Sequence, residues 1–229
     1  MAIWDDVIGA EERAQYERAG WGGTVGFGER PALIVVDMYN AFVDPAYPFS
    51  SEPAPATATA IAGLLSQFRA RSLPIFHTRA EPQPTPASRG RWKVRATTDD
   101  PRMRSPEAFE FWPEVAPVPG EYVFVKAYPS AFFGTTLTSQ LIFHGIDTLV
   151  VTGTVTSGCV RGTCLDAFNL NYRVIVPEEC VCDRGIVSHK VALFEIQMKY
   201  GDVVGVREVI DYLSSKPVPA DPATVHALP

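Results

Sequence analysis

Gly153-Thr-Val-Thr-Ser-Gly-Cys-Val-Arg-Gly-Thr-Cys-Leu-Asp-Ala167 decides how this chain folds. It follows the apolar run Thr148-Leu-Val-Val-Thr152, whose unbroken aliphatic and β-branched side chains predict a parallel strand buried on both faces. Small residues then turn the chain. From Cys159 onward, Val160, Thr163, Leu165 and Phe168 recur at helical spacing. A strand, a tight turn and a cysteine opening a helix place a thiol among outward-pointing backbone N–H groups. Those groups carry partial positive charge, which lowers a thiol's pKa and can hold an oxyanion. If the chain is an enzyme, Cys159 is the expected nucleophile.

Two other strands end in charge. Pro31-Ala-Leu-Ile-Val-Val-Asp37 is a second continuous apolar run, closed by a carboxylate, and Tyr122-Val-Phe-Val-Lys126 is closed by an ammonium. Open α/β sheets build their sites at the carboxyl ends of parallel strands. Taken singly, Asp37 reads equally well as a helix cap or turn residue, and Lys126 as a solvated strand-end lysine. Three chemically useful groups at three strand ends make a stronger case together.

Further strands are predicted over 73–78, 172–177 and 202–204, and helices over 11–19, 57–71, 135–144, 188–200 and 207–214. Ser188 is the expected cap of the 188–200 helix and Gly201 its stop, and Gly145 the stop of the 135–144 helix. This alternation predicts a doubly wound parallel sheet with right-handed crossovers. Residues 1–30 read as an arm with little core of its own. Residues 79–119 are rich in Pro and Arg and long for a connection, so they read as a lid or substrate loop carrying Trp92 and the cations Arg89, Arg91, Arg95, Arg102 and Arg104. Residues 215–229 read as a loose tail.

The 229-residue chain is 46% apolar, enough for one α/β domain spanning 1–229. Its 20 basic and 26 acidic residues give −6 with no basic stripe, which argues against nucleic acid as a partner. No apolar run reaches the roughly 20 residues that span a bilayer, and the acidic start Met-Ala-Ile-Trp-Asp-Asp lacks a signal-peptide core. A cytoplasmic location is the expectation. The four cysteines (159, 164, 180 and 182) lack zinc-ligand spacing, and they suit one reactive thiol beside three small buried residues.

These residues together resemble the isochorismatase-like superfamily of cysteine hydrolases. The likeness rests on Pro31-Ala-Leu-Ile-Val-Val-Asp37, Val125-Lys-Ala-Tyr-Pro-Ser-Ala-Phe-Phe133 and Thr156-Ser-Gly-Cys-Val-Arg-Gly-Thr163 with Asp166-Ala167. Gly26-Phe-Gly28, Glu179-Cys-Val-Cys-Asp-Arg184 and Lys199-Tyr-Gly-Asp-Val-Val204 are most similar to its N-carbamoylsarcosine and maleamate amidohydrolases. The resemblance implies a three-layer α/β/α fold with a six-stranded, mostly parallel sheet of order 3-2-1-4-5-6. It implies a catalytic triad of Asp37, Lys126 and Cys159, with the thiolate favoured by Lys126. It also implies a non-proline cis peptide at Val155–Thr156 that turns the N–H groups of Thr156 and Cys159 toward one oxyanion, and an Arg184 that pairs with a substrate carboxylate. Trp92, Tyr128 and Phe132, with Tyr39 and Phe42, are pocket candidates. The implied reaction is cleavage of a small amide or N-carbamoyl bond through a thioester, with release of ammonia. No metal and no cofactor are implied, and the family's habit suggests a homo-dimer or tetramer.

Some residues depart from the family pattern. Val155 stands where a smaller residue is usual, and Gly162 replaces an alanine at a helical cost of about 1 kcal/mol. The Asp-x-His metal pattern of nicotinamidases is missing, and His77, His144, His189 and His226 read as structural or solvated. The competing readings are a hydrolase of another small amide or ureido compound, with Arg184 serving structure only, and a non-catalytic binding protein on the same fold.

Overall fold

The computed structural model describes residues 2–82, 85–93 and 100–216. Seven strands form one sheet among the described residues: β1 (Pro31–Val36), β2 (Ile75–Ala80), β3 (Tyr122–Lys126), β4 (Thr148–Thr154), β5 (Arg173–Pro177), β6 (Val181–Cys182) and β7 (Asp202–Val204). Their order is β3-β2-β1-β4-β5-β7, and every pairing is parallel. The six-stranded order expected from sequence is therefore present, its last position filled by β7. The two-residue β6 adds a seventh strand that pairs with the end of β4.

The central strands behave as their composition demands. Every residue of β1 and β4 is buried. Side chains alternate between the faces of a strand, so Ile34, Val36, Leu149 and Val151 enter one core while Leu33, Val35 and Val150 enter the other. The first core is closed by α3 (Leu137–Phe143), α4 (Arg161–Asn169) and α5 (Ile186–Lys199), through Leu137, Leu141, Ala167, Leu193 and Ile196. The second is closed by α2 (Ala54–Arg69) and α6 (Val206–Ser214), whose Ile61, Leu64, Leu65, Phe68, Val209 and Leu213 sit at helical spacing on one stripe. Three layers result.

The arm is more deeply embedded than its sequence suggests. Trp4 and Ile8 are buried in the first core, ahead of α1 (Ala10–Arg18). Its glycine-rich passage is tied down by the buried Asp202 carboxylate, which accepts from the N–H groups of Val25 (3.0 Å) and Gly26 (2.7 Å). Helix α5 starts at Ile186 behind Gly185, not at a Ser188 cap.

Residues 100–116 are folded against the body. They form three short 3-10 turns that bury Met103, Ala108, Phe109 and Val115. A bridge joins Phe111 to Tyr39, and the Trp112 N–H donates to the Met38 carbonyl. Of the loop cations, Arg102 pairs with Asp100 at 2.6 Å, and Arg91 and Arg104 are exposed. Arg95 and the Arg89 side chain, like the tail beyond residue 216, lie outside the described residues.

At Gly153 the last turn of β4 crosses β1 so closely that a Cβ would stand 2.0 Å from the Val36 carbonyl oxygen. Its φ of +108° is also one that only glycine adopts readily. That close approach brings the ends of β1 and β4 side by side, which is where the chemistry-bearing groups lie.

Candidate active site

Asp37 directly follows β1, Lys126 closes β3, and Cys159 lies in the turn after β4. The fold brings all three together. The Lys126 ammonium donates to Asp37 Oδ2 at 2.6 Å and to Cys159 Sγ at 3.3 Å, with a third bond to the Tyr128 carbonyl at 3.2 Å. Asp37 and Lys126 are 2% and 6% exposed. A buried ion pair aimed at a thiol is neither a helix cap nor a solvated lysine, which rules out the two bland readings of these residues.

Asp37 is held from the other side by Thr78 on β2. Its hydroxyl donates to Asp37 Oδ1 at 2.7 Å and accepts from the Asp37 N–H at 3.1 Å. That double contact fixes the carboxylate on a backbone with φ of 55°, a conformation aspartate tolerates better than most residues. Thr78 was silent in the sequence, where it reads as one more β-branched residue of a buried strand.

Cys159 sits in a single π-helical turn, Thr156–Val160, that runs directly into α4. The Val155 carbonyl accepts from the N–H groups of Gly158 (2.9 Å) and Val160 (3.3 Å). The non-proline cis peptide is at Thr154–Val155, one residue earlier than the Val155–Thr156 bond expected. The Val155 side chain lies against Gly158, where an added Cβ would be only 3.0 Å from Val155 Cγ2, so the glycine makes room for the larger residue. Gly162 likewise admits Pro129 and Ser130, both 3.4 Å from where its Cβ would be. Thr163 completes that junction: its hydroxyl donates to the Cys159 carbonyl at 2.7 Å and accepts from the Ala131 N–H at 3.0 Å.

Two side chains from the segment after β5 steady the same turn. Asp183 Oδ2 accepts from the Ser157 N–H at 2.8 Å and from its hydroxyl at 2.6 Å. The buried His189 bonds through Nδ1 to the Thr156 hydroxyl at 2.8 Å, and burial lowers its pKa. His189 is thus structural, as its sequence context suggests, yet it supports the cysteine turn.

The electrostatics at Cys159 pull in both directions. The Cys159 thiol is pushed up to about 12, first by burial and then by the Asp37 charge, which together outweigh the lowering effect of Lys126. Burial alone would depress the Lys126 pKa, but its attraction to Asp37 and Cys159 raises it instead. Lys126 thus favours the thiolate, while burial and the Asp37 charge oppose it.

The remaining candidates divide. Trp92 is 44% exposed, and its indole N–H donates to the Ala127 carbonyl at 2.8 Å, next to Lys126. Tyr128 is exposed and meets Phe133 edge-on at 4.9 Å. Phe132 instead packs in the first core against Tyr172, and its neighbour Phe133, 61% exposed, is the one that faces outward. Tyr39 is buried, and its hydroxyl pKa is raised by burial and by the charges of Asp37 and Cys159, with Arg184 pulling the other way. Arg184, Asp37 and Cys159 therefore all act on the Tyr39 hydroxyl. The other cysteines, 164, 180 and 182, are buried, and none of the four is disulfide-bonded.

Fold and site together describe an α/β protein whose strand ends gather an aspartate, a lysine and a cysteine. The isochorismatase domain model matches residues 31–208, and the chain belongs to that family. Maleamate amidohydrolase of Pseudomonas putida is 37% identical over 194 residues, covering 84% of this chain and 91% of the relative. N-carbamoylsarcosine amidase of an Arthrobacter species is 34% identical over 213 residues, covering 88% and 78%. The crystal structure of N-carbamoylsarcosine amidase from Thermoplasma acidophilum superposes with a TM-score of 0.64 at 30% identity, over 78% of this chain and 97% of that one. Among the described residues, no helix is long and apolar enough to cross a membrane.

Proposed function

We infer that this chain is a cysteine-dependent amidohydrolase that cleaves the amide or N-carbamoyl bond of a small carboxylate-bearing molecule. The observation that carries the reading is the Lys126 ammonium, 2.6 Å from Asp37 and 3.3 Å from Cys159. A buried lysine joining a carboxylate to a thiol has no structural need of the thiol, and it orders a nucleophile and its base at once. Relatives named for maleamate and N-carbamoylsarcosine support a substrate that carries a carboxylate beside the scissile amide.

The Cys159 proton passes to Asp37 as sulfur attacks the carbonyl carbon. Lys126 stabilises the negative charge that moves between Asp37 and sulfur. The N–H groups of Thr156 and Cys159 hold the oxyanion. Asp37 then gives the proton to the departing nitrogen, and ammonia leaves a thioester on Cys159. A water, deprotonated by Asp37, hydrolyses the thioester and returns the proton to sulfur. The carboxylate end is assigned to Arg184. It is exposed, and among the described residues no carboxylate lies within ion-pair distance of it.

Ammonia release from maleamate, N-carbamoylsarcosine, ureidoacrylate and nicotinamide tests the reading. Release from either of the first two is expected. Activity confined to nicotinamide would contradict the carboxylate requirement, and silence across the panel would favour a binding role.

A further inference from the structure

Arg184 is exposed, yet it is not loose. Its guanidinium lies over the rings of Phe42, 5.3 Å from the centroid, and Phe49, at 5.7 Å, and it donates to the Phe49 carbonyl. The two rings are tilted toward each other at 5.8 Å, and Phe42 meets the buried Tyr39 edge-on at 5.0 Å. Both rings are partly buried and pack against a small separate core of Tyr39, Ala41, Met103, Ala108 and Phe109. The residue before Arg184 is Asp183, whose carboxylate grips the N–H and hydroxyl of Ser157 in the cysteine turn. The backbone of this cation is thus tied to the nucleophile's turn, and its side chain to an aromatic shelf that follows β1.

We propose that Phe42 and Phe49 are positioning residues that fix Arg184 at a set distance from Cys159, so that the enzyme selects short acids whose carboxylate and amide match that span. This rests on the carboxylate reading given above. Aromatic faces attract a guanidinium through their quadrupole and leave the edge N–H groups of its fork pointing outward. An arginine held this way presents a bidentate site without losing side-chain freedom on each binding event. An unpaired arginine on a flexible surface would bind any anion weakly and would not discriminate by length. Phe42 and Phe49 touch Arg184 and not the reacting atoms, so their effect appears in substrate binding and leaves the chemical step intact.

The test compares maleamate with its neutral counterpart maleamide, and N-carbamoylsarcosine with its carboxamide, in four proteins. These are the wild type, Arg184→Ala, the double variant Phe42→Leu/Phe49→Leu, and Phe42→Tyr/Phe49→Tyr. The wild type is expected to prefer the acid of whichever pair it hydrolyses, and Arg184→Ala to lose that preference. In the leucine variant the KM for the acid rises about tenfold with kcat within about twofold, in line with losing a partly desolvated cation–π contact. Its kcat/KM for the neutral amide falls less than that for the acid, and thermal unfolding of each variant is the folding control. Tyrosine restores the preference. If the leucine variant keeps the wild-type preference while Arg184→Ala loses it, the positioning role is wrong and the carboxylate reading stands. If Arg184→Ala keeps the preference, or the wild type shows none, the carboxylate reading itself fails. A leucine variant that loses activity equally on acid and neutral amide also overturns the positioning role.

Discussion

Cys159→Ala should abolish turnover, by on the order of 10⁴-fold or more, while the protein still folds. The side chain is partly exposed and packs at the edge of the first core, so losing one sulfur removes little buried apolar surface. What disappears is the atom to which Lys126 Nζ points at 3.3 Å and which Asp37 deprotonates in the proposed steps. The backbone donors of the turn and the Asp37–Lys126 pair remain, so some acceleration over water persists, as it does when a nucleophile is removed from other covalent hydrolases. Ammonia release measured alongside thermal unfolding separates the two effects. An alanine variant that turns over at near the normal rate, or a serine variant that does, would remove the thiol from the mechanism.

The second large effect is at Lys126. Lys126→Met keeps the stem but leaves the Asp37 carboxylate, 2% exposed, with only the Thr78 hydroxyl and without its 2.6 Å partner. Breaking a buried ion pair from one side typically destabilises by about 3–5 kcal/mol. Turnover should fall with it, because nothing then offsets negative charge at Asp37 or at sulfur. The double variant Lys126→Met/Asp37→Asn replaces the pair by neutral groups and should recover most of the stability and none of the activity. The sign with pH also follows. Pairing raises the Lys126 pKa, so its contribution is complete below the ordinary lysine range and is lost only as strong alkali removes the proton. Equal stability of Lys126→Met and wild type by thermal or urea unfolding would show that the pair does not hold the site together.

Much of this arrangement was legible in the chain because burial on both faces leaves a plain signature. The runs ending at Val36 and at Thr152 are uninterrupted apolar or β-branched segments buried on both faces. The run before Lys126 has the same composition although it is the edge strand, with Val123 and Val125 exposed. Parallel strands deliver their next residues to one edge. Asp37, Lys126 and Cys159 were found that way, without any contact being known. Element starts were less legible: α5 begins behind a glycine two residues before the serine that looked like its cap, and β6 is too short to register any alternation. Residues whose role depends on a distant partner were not legible at all. Thr78 meets Asp37 across 41 residues of chain, and Asp183 meets Ser157 across 26. The Phe132-Phe133 pair shows the same limit, since neither helical nor strand periodicity told which ring enters the core.

The covalent intermediate is the most direct test of the central claim. Wild-type protein mixed with whichever acid amide it hydrolyses, quenched in acid during the first turnovers and digested, should carry the substrate's acyl mass, less ammonia, on the peptide containing Cys159. Ammonia released with no acyl mass on the protein, or with that mass on another residue, would contradict the thioester route and the roles assigned to Asp37 and Lys126.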